Sequence, residues 1–259
     1  MKDYIAHLKF DTLSEDEILK FYEESVLSNK RCLTVTPNLD GMRVSYKNQN
    51  LRKFINSADI STIDGVPVKW IAKWLHKKQF KYKISGSDLA LDVIKMAAEH
   101  GYSLLLFGGK EGVADKAKEN IIKQYPNLKI STICPEFGHE KNLELSLKYV
   151  REINEIGADI NFICTGFPKA ELFFASHEKE FTKGLYFFVG ATIDFIAGSI
   201  KRSPKWMSKC GLEWLYRLFH DFKRLFKRYW LDFWFLFKMF FICVFHKKKF
   251  AKIIEIDNK

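Results

Sequence analysis

Asp64, in Ile63-Asp64-Gly65, carries a carboxylate that could act as general base toward a hydroxyl group placed within hydrogen-bond reach. An aspartate before glycine also suits a turn or a helix N-cap, so spacing alone leaves both roles open. Thr36 and Asn38 flank Pro37, which stiffens their turn; their side chains could hold a sugar or a diphosphate, or cap the following helix. Gly108-Gly109-Lys110-Glu111-Gly112 fits neither G-x-G-x-x-G nor the G-x-x-x-x-G-K-S/T phosphate loop. Glycines without Cβ still let a phosphate or ribose approach, and an ordinary tight turn reads the same way. Asp194 could orient a ribose or serve as a structural hydrogen-bonded aspartate, and Gly86-Ser87-Asp88 reads as a helix start capped by Ser87 or Asp88. The seven histidines lack HExxH or other metal-ligand spacing and no DxD occurs, so neither a metal nor another cofactor is expected. Arginines, backbone N–H groups or a helix dipole would then have to meet the charge of any diphosphate bound here. Arg217, Arg224 and Arg228 are the candidates, unless they only face anionic lipid.

The elements that must position these groups follow from periodicity. Apolar runs at Arg31–Val35, Ser103–Phe107, Lys129–Ile133, Ile160–Cys164 and Leu185–Val189 predict strands, with a weaker one before Asp64. Helical spacing falls between them, at Glu15–Leu27 behind the capping box Ser14-x-x-Glu17, at Val113–Gln124 and at Leu143–Ile156. Alternating strands and helices predict an α/β fold: a Rossmann-like, mostly parallel sheet with helices on both faces. Ligands of such sheets bind beyond the carboxyl ends of the strands, which is where the candidate residues fall. Five widely spaced cysteines without CxxC argue for reduced thiols, and the charged N-terminal stretch does not read as a signal peptide.

Charge divides the chain at about residue 200. Of the net +11, the segment from Lys201 to Lys259 carries 15 Lys and Arg against 5 Asp and Glu, or +10. Sixteen of the 40 aromatic residues lie in the same segment. Basic and aromatic residues together suit a lipid interface better than a nucleic-acid backbone, so an anionic membrane surface is expected and nucleic acid is not. Leu212–Asp232 reads as one helix, with Arg217, Arg224 and Arg228 along one face. Tyr229–Phe245 is almost wholly apolar but contains Asp232 and Lys238; its rise of about 25 Å is short of the roughly 30 Å hydrocarbon core. An in-plane interfacial helix is predicted, anchored by Lys247-Lys248-Lys249, on a division into residues 1–199 and an amphipathic helical appendage over 200–259.

Taken together, the motifs resemble the WecG/TagA/CpsF family of bacterial glycosyltransferases. The stretch from Lys201 to Leu218, KRSPKWMSKCGLEWLYRL, is similar to that family's R-x-P-x-W-(M)-x-x-x-G-L-E-W-x-x-R-L. Thr36-Pro37-Asn38, Asn56-Ser57-Ala58-Asp59, Asp64-Gly65-Val66, Gly86-Ser87-Asp88, Gly108-Gly109-Lys110, Gly157-Ala158-Asp159, Pro168-Lys169-x-Glu171 and Asp194-Phe195-x-Ala197-Gly198 also match, in order. The resemblance implies a metal-independent, inverting transfer from a UDP-sugar, such as UDP-N-acetylmannosamine, to a polyprenyl-diphosphate-linked sugar. The products feed teichoic acid or other cell-surface polysaccharides, and the enzyme sits peripherally on the cytoplasmic face of the cell membrane. It assigns Asp64 as general base with Thr36 beside it, and Asn38, Gly108, Gly109, Lys169, Glu171 and Asp194 as substrate contacts. Arg217, Arg224 and Arg228 would reach the diphosphate when the tail docks. Two departures, Gly41 after Asp40 and Ala170 between Lys169 and Glu171, predict an altered sugar specificity. A non-catalytic, membrane-recruited scaffold is the alternative, and homo-oligomerisation is left open.

Overall fold

The computed structural model describes residues 2–204, 207 and 212–257, with only the backbone of Arg224 among them. Cys210 and most of the Lys205–Gly211 stretch lie outside the described residues. The chain opens with an antiparallel hairpin of β1 (Lys2–Ile5) and β2 (Leu8–Asp11), which the sequence reading left unassigned. Ile5, Leu8 and Phe10 are fully buried, so the hairpin belongs to the core.

Then come α1 (Glu15–Leu27), β3 (Arg31–Val35), α2 (Leu39–Lys47), α3 (Gln49–Ser57), β4 (Ile60–Ser61), α4 (Val66–Trp74) and α5 (Gly86–His100). β5 (Leu104–Gly108), α6 (Val113–Gln124), β6 (Ile130–Ile133), α7 (Leu143–Ile156), β7 (Ile160–Cys164), α8 (Lys169–Ser176), β8 (Gly184–Phe188) and α9 (Thr192–Ala197) complete the body. The strands and helices predicted for the body are all present. The six strands β4-β3-β8-β7-β5-β6 form one wholly parallel sheet, the expected Rossmann-like α/β architecture. Every residue of β5, β7 and β8 is buried, as strands covered on both faces require.

Alternate strand residues feed two cores. Leu33, Val35, Leu105, Phe107, Ile163, Tyr186 and Phe188 face one way, and Cys32, Leu104, Leu106, Ile160, Phe162, Leu185 and Phe187 the other. The Ser14 capping box starts α1 as its sequence predicts. α5 is capped by Ser85, whose side chain accepts from the Asp88 N–H, rather than by Ser87 or Asp88.

The tail contains α10 (Glu213–His220), α11 (Phe222–Phe245) and α12 (Lys248–Asp257). The single helix predicted over Leu212–Asp232 is therefore broken at Asp221 (φ −145°, ψ 54°), and its second half runs on to Phe245. Aspartate competes with the backbone for hydrogen bonds and is a poor interior helix residue. The tail also docks on the body. Phe235, Met239, Ile242, Cys243 and, on α12, Phe250 join the core that holds Leu33, Val68 and Ile71. Burying side chains of this size stabilises the docked state by about 1.5–3 kcal/mol each.

The opposite side of α11 remains exposed and aromatic. Phe222, Phe226, Trp230, Phe233, Trp234, Phe237, Phe241 and Phe245 form a stripe at helical spacing, with Trp230 53% and Trp234 52% exposed. Among the described residues no single helix is long and apolar enough to cross a membrane. The pair Leu225–Phe245 and Lys248–Asp257 passes that test only together, and it bends by 106° at the break.

Candidate active site

A cavity of about 240 Å³ opens at the carboxyl ends of β4, β3, β8 and β7. Small-molecule sites usually offer about 300–1,000 Å³, so a ligand as large as a nucleotide-sugar would protrude from it. The turn after β3 contributes Thr36, Pro37 and Asn38; that after β4, Asp64; that after β7, Gly166 and Phe167; that after β8, Gly190 and Ala191. The tail completes the wall with Arg217, Leu225, Arg228 and Tyr229. Body and tail therefore build one cavity between them.

Asp64 is held by two backbone bonds of the Ile63–Asp64 peptide group. Its N–H reaches Pro37 O at 3.4 Å, and the preceding Ile63 carbonyl accepts from Ile84 N–H at 3.1 Å. Gly65 follows at φ +88°, a conformation that favours glycine, and opens α4 with Pro67 in its first turn. Burial pushes Asp64 up to about 6; Glu213 across the cavity adds to the shift, and Arg217 and Lys83 oppose it. A carboxylate with this pKa is ionised at neutral pH and is a stronger base than an ordinary aspartate.

Asn38 combines the two roles open to it. Its Oδ1 accepts from the Gly41 N–H at 3.0 Å, capping α2, while the residue lines the cavity. Thr36 packs against the first turn of α5: a Cβ built on Gly86 would lie 2.6 Å from its Oγ1. Arg217 pairs with Glu213 and lies 5.0 Å from the centre of the Phe195 ring, a cation–π contact. Arg228 approaches Asp40, its Nε 3.0 Å from Oδ2, and stands 4.0 Å from Asp232. Arg43 on α2 joins the cluster, donating Nε to Asp232 Oδ1 at 2.6 Å and pairing with Asp40. Burial raises Asp232 to about 6 against the pull of the Arg43 hydrogen bond. Arg52, on α3, forms a second buried pair, with Asp257 of α12 (Nη2 to Oδ1, 2.8 Å).

Glu171 lines the cavity from the first turn of α8, and its Oε2 has no hydrogen-bond partner among the described residues. Burial pushes it up to about 7; its own backbone N–H opposes the shift and the nearby Asp40 carboxylate adds to it.

Other candidates stand outside the wall. Gly108 and Gly109 do not line the cavity; β5 lies two strands from β8, so its turn falls to one side. Gly108, at φ +127°, is required for packing, because a Cβ there would come within 2.6 Å of the Cys164 carbonyl group. Lys169 turns away toward Glu140 (3.6 Å) and the Phe137 ring (4.2 Å from its centre). Asp194 sits in α9, where its carbonyl accepts from the Ser199 N–H at 3.0 Å, while its neighbour Phe195 is the residue on the wall. The Arg224 side chain lies outside the described residues.

The sequence reading missed Ser87, Phe195 and Tyr229 as lining residues, and it quoted Arg202 only as part of the family motif, without a partner. Arg202 donates to Asp88 at 2.6 Å and to Ser87 Oγ at 3.0 Å, tying the start of the tail to α5. Burial acts to raise Asp88, but Arg202 and Ser85 more than offset it and hold its pKa below the ordinary value. Gly41 and Ala170, the two departures noted above, both line the cavity. Among the described residues no group of three or more His, Cys, Asp or Glu is placed to hold a metal ion.

The model of the glycosyl transferase WecG/TagA/CpsF family matches residues 4–250. The chain belongs to that family. It is also similar to the N-acetylglucosaminyldiphosphoundecaprenol N-acetyl-beta-D-mannosaminyltransferase of Bacillus subtilis (strain 168), 25% identical over 185 residues, covering 71% of this chain and 69% of the relative. This WecG/TagA/CpsF member is thus a glycosyltransferase, whose cavity joins a half-buried carboxylate from the turn after β4 to two arginines from the tail.

Proposed function

We propose that this enzyme moves a hexose or N-acetylhexosamine of the N-acetylmannosamine type from a UDP-sugar to a polyprenyl-diphosphate-linked sugar. The observation that carries this reading is the convergence of Asp64, Arg217 and Arg228 on one cavity. The activity for which the Bacillus subtilis relative is named, transfer of N-acetylmannosamine to N-acetylglucosaminyldiphosphoundecaprenol, supports the substrate class. Asp64 takes the proton of the acceptor hydroxyl, and the oxygen attacks the anomeric carbon from the face opposite UDP. The bond to the diphosphate oxygen breaks with its electron pair, and the anomeric centre inverts. Arg217 and Arg228 meet the charge developing on the departing diphosphate; fixed guanidinium groups in a half-enclosed site do this at little reorganisation cost. Thr36 and Asn38 orient the sugar.

The aromatic stripe of α11, with Lys247-Lys248-Lys249 at its end, supports peripheral attachment to an anionic membrane at the cytoplasmic face. An acceptor confined to that membrane would then meet the cavity at a raised effective concentration. The deciding assay is UDP release with a panel of UDP-hexoses and a synthetic polyprenyl-diphosphate-N-acetylglucosamine acceptor. Release that depends on both partners is expected. No turnover and no binding of any UDP-sugar by the full-length protein would overturn the reading.

A further inference from the structure

The mechanism above leaves one buried titratable group of the cavity unused. Glu171 is only 7% exposed, belongs to the wall, and has a carboxyl oxygen, Oε2, that no described group satisfies. Most buried side-chain polar atoms in folded proteins have a partner, and one left without any in a cavity wall is poised to gain it from a ligand. We infer that Glu171 is a specificity-determining residue of the donor site, donating a hydrogen bond from its neutral carboxyl group to an oxygen substituent of the transferred hexose. The inference rests on the UDP-sugar reading and adds to it a contact on the sugar.

The surroundings favour the neutral acid. Glu171 is buried, and the nearest charged group acting on it is the Asp40 carboxylate of α2. Asp40 is itself paired with Arg43 and approached by Arg228, and neither guanidinium is among the groups that act on Glu171. Lys169, on the same helix, is directed to Glu140. Burial leaves Glu171 at about 7 and Asp64, on the same cavity, at about 6. The two environments differ in their cations: Arg217 and Lys83 favour the ionised form of Asp64, whereas no cation acts on Glu171. A protonated carboxyl has one O–H to donate, so it can recognise a sugar oxygen without placing a second negative charge near a diphosphate.

The test uses Glu171→Gln and Glu171→Ala in the full-length enzyme, with a panel of UDP-hexoses that differ at single ring positions. Glu171→Ala is expected to raise KM for the preferred donor about tenfold, the equivalent of one hydrogen bond, with a smaller change in kcat. It should also flatten the discrimination between donors that differ at one position. Glu171→Gln keeps an uncharged N–H donor and should restore most of the affinity. It should also remove the rise in donor KM expected of the wild type above pH 7, while leaving in place the acid limb expected from Asp64. Melting curves check the fold of both variants, and Glu171→Gln carries the test if the alanine variant is unstable. A wild type active on UDP-sugars, with both variants matching its donor preference and pH profile of KM, would overturn the role of Glu171 alone. A wild type that binds no UDP-sugar at all would instead bring down the substrate reading beneath it.

Discussion

Arg43 Nε donates to Asp232 Oδ1 at 2.6 Å, so a cation of α2 meets the only carboxylate in the apolar helix α11. Removing one partner of such a pair strands the other, which costs roughly 3–5 kcal/mol where burial is complete. Arg43 is 24% exposed and also pairs with Asp40, so Arg43→Ala should cost less, about 2 kcal/mol in a denaturant titration. The double variant Arg43→Met/Asp232→Leu removes both charges together and should cost less than Arg43→Ala alone. A double variant weaker than the single one would show that the pair holds the tail by more than mutual neutralisation.

Gly86 supplies a steric test of Thr36. A methyl group at this position would meet Thr36 Oγ1 at 2.6 Å and Cγ2 at 3.2 Å, and the helix backbone leaves Thr36 as the group that must shift. Gly86→Ala should therefore lower kcat/KM by about tenfold or more with little change in melting temperature, since alanine favours the helix. In a Thr36→Ala background the same substitution should have a much smaller effect. Equal losses in both backgrounds would separate Gly86 from Thr36.

Asp64 links activity and stability with opposite signs. The proposed general base must be ionised to accept a proton, so kcat/KM should rise with pH through about 6. Its folded pKa stands above the ordinary 3.8, so the proton-bound form is favoured in the fold. The stability it contributes is complete below about 4 and is lost as pH rises through about 6. Asp64→Asn should reduce turnover by about 10²–10⁴-fold. Its melting temperature, compared with wild type, should improve between pH 4 and pH 7. A constant difference across that interval would show that Asp64 does not titrate as its burial requires.

Trp230 and Trp234 test the proposed membrane contact of α11 without touching the core. Deleting the tail is a poor experiment, because Phe235, Met239 and Ile242 would be withdrawn from the sheet's own core. Trp230→Ser/Trp234→Ser should leave the melting temperature within about 2 °C. It should weaken binding to anionic vesicles by tenfold or more, since each ring is worth on the order of 1.5–3 kcal/mol when withdrawn from water. Co-sedimentation with phosphatidylglycerol vesicles reads the difference. Unchanged sedimentation would remove α11 from the lipid contact.

The sheet was legible because each strand is a short apolar run with a turn signal after it, and α1 because its capping box is local. The hairpin at Lys2–Ile5 and Leu8–Asp11 was hidden: four-residue strands with mixed charge carry little periodicity. Thr36, Asn38 and Asp64 were singled out because strand ends point to ligands in this architecture, and Glu171 through its resemblance motif; all four line the cavity. Gly108 and Gly109 obey the same rule yet fall outside, since strand order, which periodicity does not encode, puts β5 away from β3. The Asp40, Arg43, Arg228 and Asp232 cluster joins residues nearly two hundred positions apart, beyond any local pattern. Its one visible trace was Asp232, a charge in an apolar run that had to find a partner.

Helix α11 has two apolar sides, and only one of them is free. The docked side ties it to α2 and α4, so on a bilayer the helix could sink only by about its own radius, some 5 Å, before the globular body met the headgroups. Immersion depth would then be fixed by protein packing and not by lipid composition. The active centre would ride at a constant height above the acyl chains, and a long-chain acceptor would have to lift its sugar to meet it.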